Sequence, residues 1–187
     1  MEQFILASAS PRRKELLLKL VPEFAVVPPS INEDGVQANF PAELAMRLAT
    51  LKANDVAEKN PEAVVIGCDT IVEIDGKPLG KPHSKGDAQQ MLRLLSGRVH
   101  SVHTGVCMQK GTAQTCFVES SKVTFAILSS EEIAQYISSD EPYDKAGGYA
   151  IQGQAAKFVT EIRGCYFNIM GLPVAHLYRV LKQQGYL

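Results

Sequence analysis

The chain has 187 residues, of which 45% are hydrophobic and 21% charged, with a formal net charge of −1. That is long enough to bury a sizeable core as one domain, and the near-neutral balance excludes bulk electrostatic binding to nucleic acid while leaving local basic clusters open. No apolar run approaches the ~18 residues of a membrane span and no signal-peptide pattern opens the chain, so a cytoplasmic location without membrane attachment is expected. The four cysteines, Cys68, Cys107, Cys116 and Cys165, stand singly with no C-x-x-C pair, which predicts reduced, mostly buried thiols rather than a zinc or redox motif. With no repeat, low-complexity tract or linker, residues 1–187 read as a single domain.

In chain order, residues 3–7 form a short apolar strand. A helix then begins with Ser10 as N-cap and Pro11 in its first position, carries Leu16, Leu17 and Leu20, and ends at Pro22. Residues 24–27 read as a strand closed by Pro28-Pro29, and the acidic segment 31–35 as a loop holding Glu33 and Asp34. A second helix spans about Pro41 to Glu58, with Leu44, Leu48, Leu51 and Val56 on its buried side and Lys52 one helical step from Leu48. Residues 63–74 form a strongly apolar strand, followed by the hairpin signal Asp75-Gly76. A third helix starts at Ser84, with Asp87 as capping-box partner, and stops at Gly97. Two long antiparallel strands, about 98–109 and 114–127, precede a short helix with a Ser129/Glu132 capping box. The glycine-rich stretch 141–153 reads as a loop, 157–163 and 165–170 as a hairpin across Arg163-Gly164, and 173–184 as a closing helix. This mixture of strands, hairpins and helices predicts an α/β or α+β fold built on a mixed sheet.

The corner Ser8-Ala-Ser10-Pro-Arg12-Arg13 is the first candidate site. A helix N-terminus offers unpaired N–H groups and partial positive charge, and two arginines there oppose the dipole unless an anion arrives from outside. The alternative is a capped helix with solvated arginines. Asp69 interrupts a nearly apolar strand, where a carboxylate is costly unless it is paired or metal-bound. It is either a structural ion-pair partner or a metal ligand or base, with Mg²⁺ the natural cation and Glu33 a weaker second carboxylate. Lys52 and Lys81 are each unremarkable alone, but beside an anion site they become clamps for a polyphosphate. Gln152 offers both a donor and acceptors, suited to the edge of a base. His100-x-x-His103 imitates a metal pair, yet on a strand that spacing sends the two rings to opposite faces. Ser8 and Ser10 lack the G-x-S-x-G elbow of a serine nucleophile.

Five ordered segments resemble the Maf family of nucleoside triphosphate pyrophosphatases: Ile5 to Arg13, Gly67 to Val72, Leu79 to Pro82, Leu95 to Arg98 and Asp144 to Gly153. The resemblance implies an elongated α/β fold, inosine-triphosphatase-like, with a mixed sheet flanked by helices and two lobes around a central cleft. It also implies a divalent cation (Mg²⁺, or Mn²⁺), a possible homodimer, and hydrolysis of a nucleoside triphosphate to monophosphate and pyrophosphate. By the same resemblance Asp69 is the proton acceptor and Arg12, Thr70 and Gln152 are specificity positions. Ser8, Arg13, Lys52 and Lys81 contact substrate, and Glu33 with Asp69 lies at the metal. The Asp144-Lys145-Ala-Gly…Ile-Gln-Gly form looks like the branch acting on dTTP and UTP rather than on 7-methyl-GTP, although Gly148 and Ala150 stand where alanine and glycine are expected. A nucleotide-binding regulator of septum formation with little turnover is the alternative of another class.

Overall fold

Strand β1 (Phe4–Ala7) is buried along its whole length and runs parallel to both neighbours, β2 (Ala25–Val26) and β3 (Val64–Ile74), as a continuous apolar run should. The computed structural model describes residues 2–187. Helix α1 (Pro11–Leu17) starts where the caps predict, with the Ser10 hydroxyl accepting the Arg13 N–H. Helix α2 (Pro41–Ala57) connects β2 to β3. After β3 the chain turns at Asp75-Gly76, both at positive φ, into β4 (Lys77–Leu79), which pairs back onto β3. Ser84 caps α3 (Lys85–Leu95), although the Asp87 carboxylate accepts from the His83 N–H instead of closing the box on Ser84.

The long hairpin β5 (Val99–Lys110) and β6 (Ala113–Phe125) leads to α4 (Ser130–Tyr136), whose Ser129/Glu132 capping box is complete. Three 3-10 turns follow at Glu141–Asp144, Ala146–Gly148 and Gln154–Phe158, the last running into β7 (Val159–Arg163). The chain closes with α5 (Tyr166–Met170) and α6 (Val174–Gln183). Among the described residues no helix is long and apolar enough to cross a membrane.

The seven strands make one mixed sheet in the order β2-β1-β3-β5-β6-β7, with β4 also on β3. The 13 residues of β6 span about 40 Å at the ordinary rise of a strand. One edge of β3 is shared. β1 pairs with Val64 to Gly67 and β4 with Val72 to Ile74, which leaves residues 68–71 between them without a strand partner on that side. A break of this kind, where β1 departs into a loop and helix, is where open α/β sheets form binding crevices.

One face of the sheet carries the main core, which runs from Phe4 to Leu181. The other is covered by α2, and here the leucine pattern holds only in part: Leu48 and Val56 are buried as expected. Leu51 is exposed and Leu44 only half-buried, whereas Ala45, Ala49, Lys52 and Ala53 lie against the sheet. The reason is close approach. A Cβ on Gly67 would lie 2.4 Å from the Ala49 carbonyl oxygen, and one on Gly105 2.3 Å from that of Ala45. Glycines below and alanines above let the helix sit flush at these two crossings.

Residues 165–170 are not the second strand of a hairpin. β7 already forms the sheet edge on β6, and the chain instead folds back over the sheet as α5. There Asn168 is fully buried, its amide donating to the Val102 carbonyl and the Ser121 hydroxyl at 2.9 Å each. Anchoring a polar side chain across two strands is worth more to this segment than an unpaired edge strand.

Candidate functional site

The chain leaves β1 at Ser8 and enters α1 three residues later, beside the unpaired stretch of β3. Ser8 is buried and its hydroxyl accepts the Ser10 N–H at 3.2 Å. It also accepts one Arg13 N–H, so it braces Arg13 from below. Arg13 is held at three points: Nε donates to the Gly171 carbonyl at 3.0 Å, Nη1 to Ser8 at 3.3 Å and Nη2 to Thr70 at 3.1 Å. That leaves one N–H on each terminal nitrogen for another partner. Arg12, half-buried at the same helix start, has its pKa pushed below the ordinary guanidinium value by burial, with Asp144 opposing.

Because α2 sits flush on the sheet, Lys52 reaches Asp69. Its Nζ lies 2.5 Å from Asp69 Oδ1 and 3.0 Å from Glu33 Oε1, and Lys52 and Asp69 are both buried. Two carboxylates from separate segments therefore converge on one point that already carries a cationic group. This donor set fits a hard cation such as Mg²⁺, which binds through one or two carboxylates, water and substrate phosphates. Among the described residues no group of three or more His, Cys, Asp or Glu side chains could hold a metal, so most ligands would have to come from substrate and water.

The opposite wall is built by the turns after α4. Lys145 pairs with Asp144, and although burial draws the Asp144 carboxyl upward, Lys145 and Arg12 outweigh it and hold its pKa below the usual range. The Gly147 N–H donates to the Gly80 carbonyl at 2.9 Å, fixing the Lys81 loop to this segment. Gly147 and Gly148 are successive left-handed residues (φ 70° and 71°), so the glycine at 148, departing from the expected alanine, occupies a conformation that glycine favours. Beyond Gln152, the Glu141 carboxylate accepts the Gln154 and Ala155 N–H groups and the Tyr136 hydroxyl, which clamps the end of the loop.

Between these walls lies a cleft of about 560 Å³. Of the residues singled out from sequence, Arg12, Arg13, Glu33, Lys52, Asp69, Thr70, Lys81 and Gln152 all line it, and Ser8 lies beneath it, against Arg13. Lys145, Asp144 and Tyr149 also line it and were not singled out as site residues. The sequence held a signal for them in the Asp-Lys and Tyr of the glycine-rich stretch, but only the fold shows that this stretch faces α1. The two histidines point to opposite faces. His100 is buried with Nε2 2.7 Å from the Tyr149 hydroxyl, while His103 lies between Ser120 and Glu73.

The sequence profile of the Maf-like protein family matches residues 3–184. The chain belongs to the Maf family. Among its relatives, a dTTP/UTP pyrophosphatase of Carboxydothermus hydrogenoformans is 51% identical over 97% of this chain and 98% of its own length. Another of that name, from Bacillus pumilus, is 50% identical over 99% and 98%. Among solved structures, the Staphylococcus aureus Ham1 protein superimposes with a TM-score of 0.59 at 15% identity, covering 98% of this chain and all of its own (100%). The HAM1 protein of Coxiella burnetii gives 0.56 at 18% identity over 98% of this chain. At such identities the likeness is one of fold: this Maf chain shares the Ham1 architecture of a mixed sheet flanked by helices around a cleft.

Proposed function

We propose that this Maf protein hydrolyses dTTP and UTP, and modified pyrimidine triphosphates, to the monophosphate and pyrophosphate. The observation that carries the reading is the convergence of buried Asp69 with basic side chains from both walls in one cleft. It occurs in a chain about half identical to relatives named dTTP/UTP pyrophosphatase. Arg12, Arg13, Lys52 and Lys81 supply the charge to hold a polyphosphate. Asp69, close beside them, takes a proton from water as the water oxygen bonds to the α-phosphorus. The bond from that phosphorus to the β-phosphate bridging oxygen breaks, and pyrophosphate leaves with its charge held by the same bases. Mg²⁺, or Mn²⁺ in its place, would be held by Asp69 and Glu33 and, when bound, supplies charge neutralisation of the triphosphate. Gln152, exposed at the rim, presents an amide to the base.

Purified protein with Mg²⁺ is to be assayed against dTTP, UTP, the purine triphosphates and 7-methyl-GTP. Pyrophosphate release from dTTP and UTP is the expected result. Orthophosphate without pyrophosphate overturns the cleavage site, preference for 7-methyl-GTP moves the chain to the other branch, and binding without turnover supports a regulatory role instead. Asp69→Asn should lower kcat by about 10² or more in a protein that still folds; near-normal turnover would remove Asp69 from the chemistry.

A further inference from the structure

Behind the cleft wall, a short chain of hydrogen bonds ties Thr70 and Arg13 to α5. Thr104 on β5 is fully buried and does not line the cleft. Its Oγ1 lies 2.9 Å from the Asn168 main-chain carbonyl oxygen and 2.9 Å from Thr70 Oγ1. Two oxygens this close need a proton between them. A carbonyl has none, so the Thr104 proton must point at Asn168. Thr104 can then only accept from Thr70, and the Thr70 proton points inward. Of the two lone pairs on Thr70 Oγ1, one takes the Arg13 Nη2–H. The other is left facing the cleft that Thr70 lines.

We propose that Thr104 is a positioning residue which commits the Thr70 proton inward, so that Thr70 meets the nucleotide only as a hydrogen-bond acceptor. The inference rests on the nucleotide-hydrolysing reading above and deepens it. An acceptor repels phosphate oxygens, so Thr70 serves the nucleoside end and pairs there with a donor. dTTP and UTP share two such donors, the 3′-hydroxyl of the sugar and the imide N3–H of the base. Arg13, with its Nε and one N–H of each terminal nitrogen already used within the protein, turns its remaining donors to phosphate. The Asn168 carbonyl receives Thr104 and the Gly171 carbonyl receives Arg13, so the end of α5 sets both neighbours at once.

Replacing Thr104 with valine removes the inward acceptor while keeping the shape. The freed Thr70 proton then turns toward the cleft and opposes the substrate's donor. Thr104→Val should raise KM for dTTP and UTP roughly tenfold with kcat within about threefold, and Thr104→Ser should restore most of the loss. Wild-type and variant kinetics are compared on dTTP, its 3′-deoxy analogue and its N3-methyl analogue. In the wild type, one analogue should show a KM penalty of roughly tenfold, identifying which donor Thr70 meets; in Thr104→Val that penalty should shrink to less than about threefold. Melting curves show whether each variant is folded, and the serine variant tests the inference even where valine unfolds the protein. No turnover of dTTP or UTP by the wild type overturns the proposed function itself. An active wild type with no penalty on either analogue overturns this inference, and so does an undiminished penalty in Thr104→Val or a failure of serine to rescue.

Discussion

His100 shows how a single buried group couples the cleft wall to pH. Its ring is packed edge-on against Phe125 and Tyr149, Nδ1 has no partner, and burial depresses its pKa from 6.5 to about 4. The unfolded chain therefore binds this proton first as pH falls. The stabilisation from keeping His100 neutral is complete above pH 6.5, declines between 6.5 and about 4, and levels off below. Between pH 7 and 5 this amounts to about 2 kcal/mol. Urea unfolding of wild type and His100→Gln at both pH values measures it. The wild type should lose more stability than the variant by that amount, since other groups titrate equally in both, and equal losses would mean that His100 does not titrate in this window. The sequence revealed that the two histidines face apart, through strand alternation alone. It did not reveal that one would be buried against Tyr149, because that contact joins residues far apart in the chain. Thr104 was hidden for the same reason, as an ordinary β-branched strand residue whose meaning comes from the Asn168 carbonyl on α5.

Among the elements, α2 has the most consequence because its placement delivers Lys52. The helix itself was legible from periodicity, and so were Leu48 and Val56 on its buried face, but the alanines that make the closest approach were not. Leucines mark a buried face when a helix packs at ordinary distance. Here Gly67 and Gly105 remove the side chains that would hold α2 away, and alanines take the inner positions. Gly67→Ala should therefore destabilise the protein by about 3 kcal/mol, as overpacking against backbone does. By lifting α2 it should also lower kcat further than the loss of folded protein explains. Gly86→Ala in α3, where an added Cβ meets only Ser84 Oγ at 3.6 Å, is the control and should be neutral or stabilising by up to about 1 kcal/mol. Thermal denaturation with parallel turnover assays checks both, and a Gly67→Ala protein as stable and active as wild type would show that α2 has room to spare. Capped helices and the Asp75-Gly76 hairpin were readable because their signals are local. The α5 segment was misread as a strand because its reason for being helical, the anchoring of Asn168 on β5 and β6, is not local. The same holds for Cys107 and Cys116, single in sequence but directly opposed across β5 and β6.

Across the whole molecule, the break in the sheet beside residues 68–71 brings the two ends of the chain to one cleft, with Arg12 and Arg13 near one terminus and Lys145 and Gln152 toward the other. The charge there is nearly balanced. Five bases (Arg12, Arg13, Lys52, Lys81, Lys145) face four acids (Glu33, Asp34, Asp69, Asp144), a surplus of one positive charge. Lys52, moreover, is already paired with Asp69 and Glu33. A nucleoside triphosphate carries about four negative charges, so the cleft alone leaves most of that charge unbalanced, and binding should depend on a divalent cation brought with the nucleotide. A ligand that binds only the folded state at 100 times its Kd stabilises by about 2.7 kcal/mol, which for a chain of this size is a Tm rise of about 5–10 °C. A dTTP analogue with a non-hydrolysable α,β-bridge should produce that shift with Mg²⁺ present, and chelation with EDTA should reduce it to less than about a third. The analogue isolates binding from turnover, so the result does not depend on the rate of the chemical step. A full shift in EDTA would mean that the five bases suffice for binding and that Glu33 and Asp69 hold no cation the nucleotide needs. No shift under either condition would mean that the cleft does not close on a triphosphate at all.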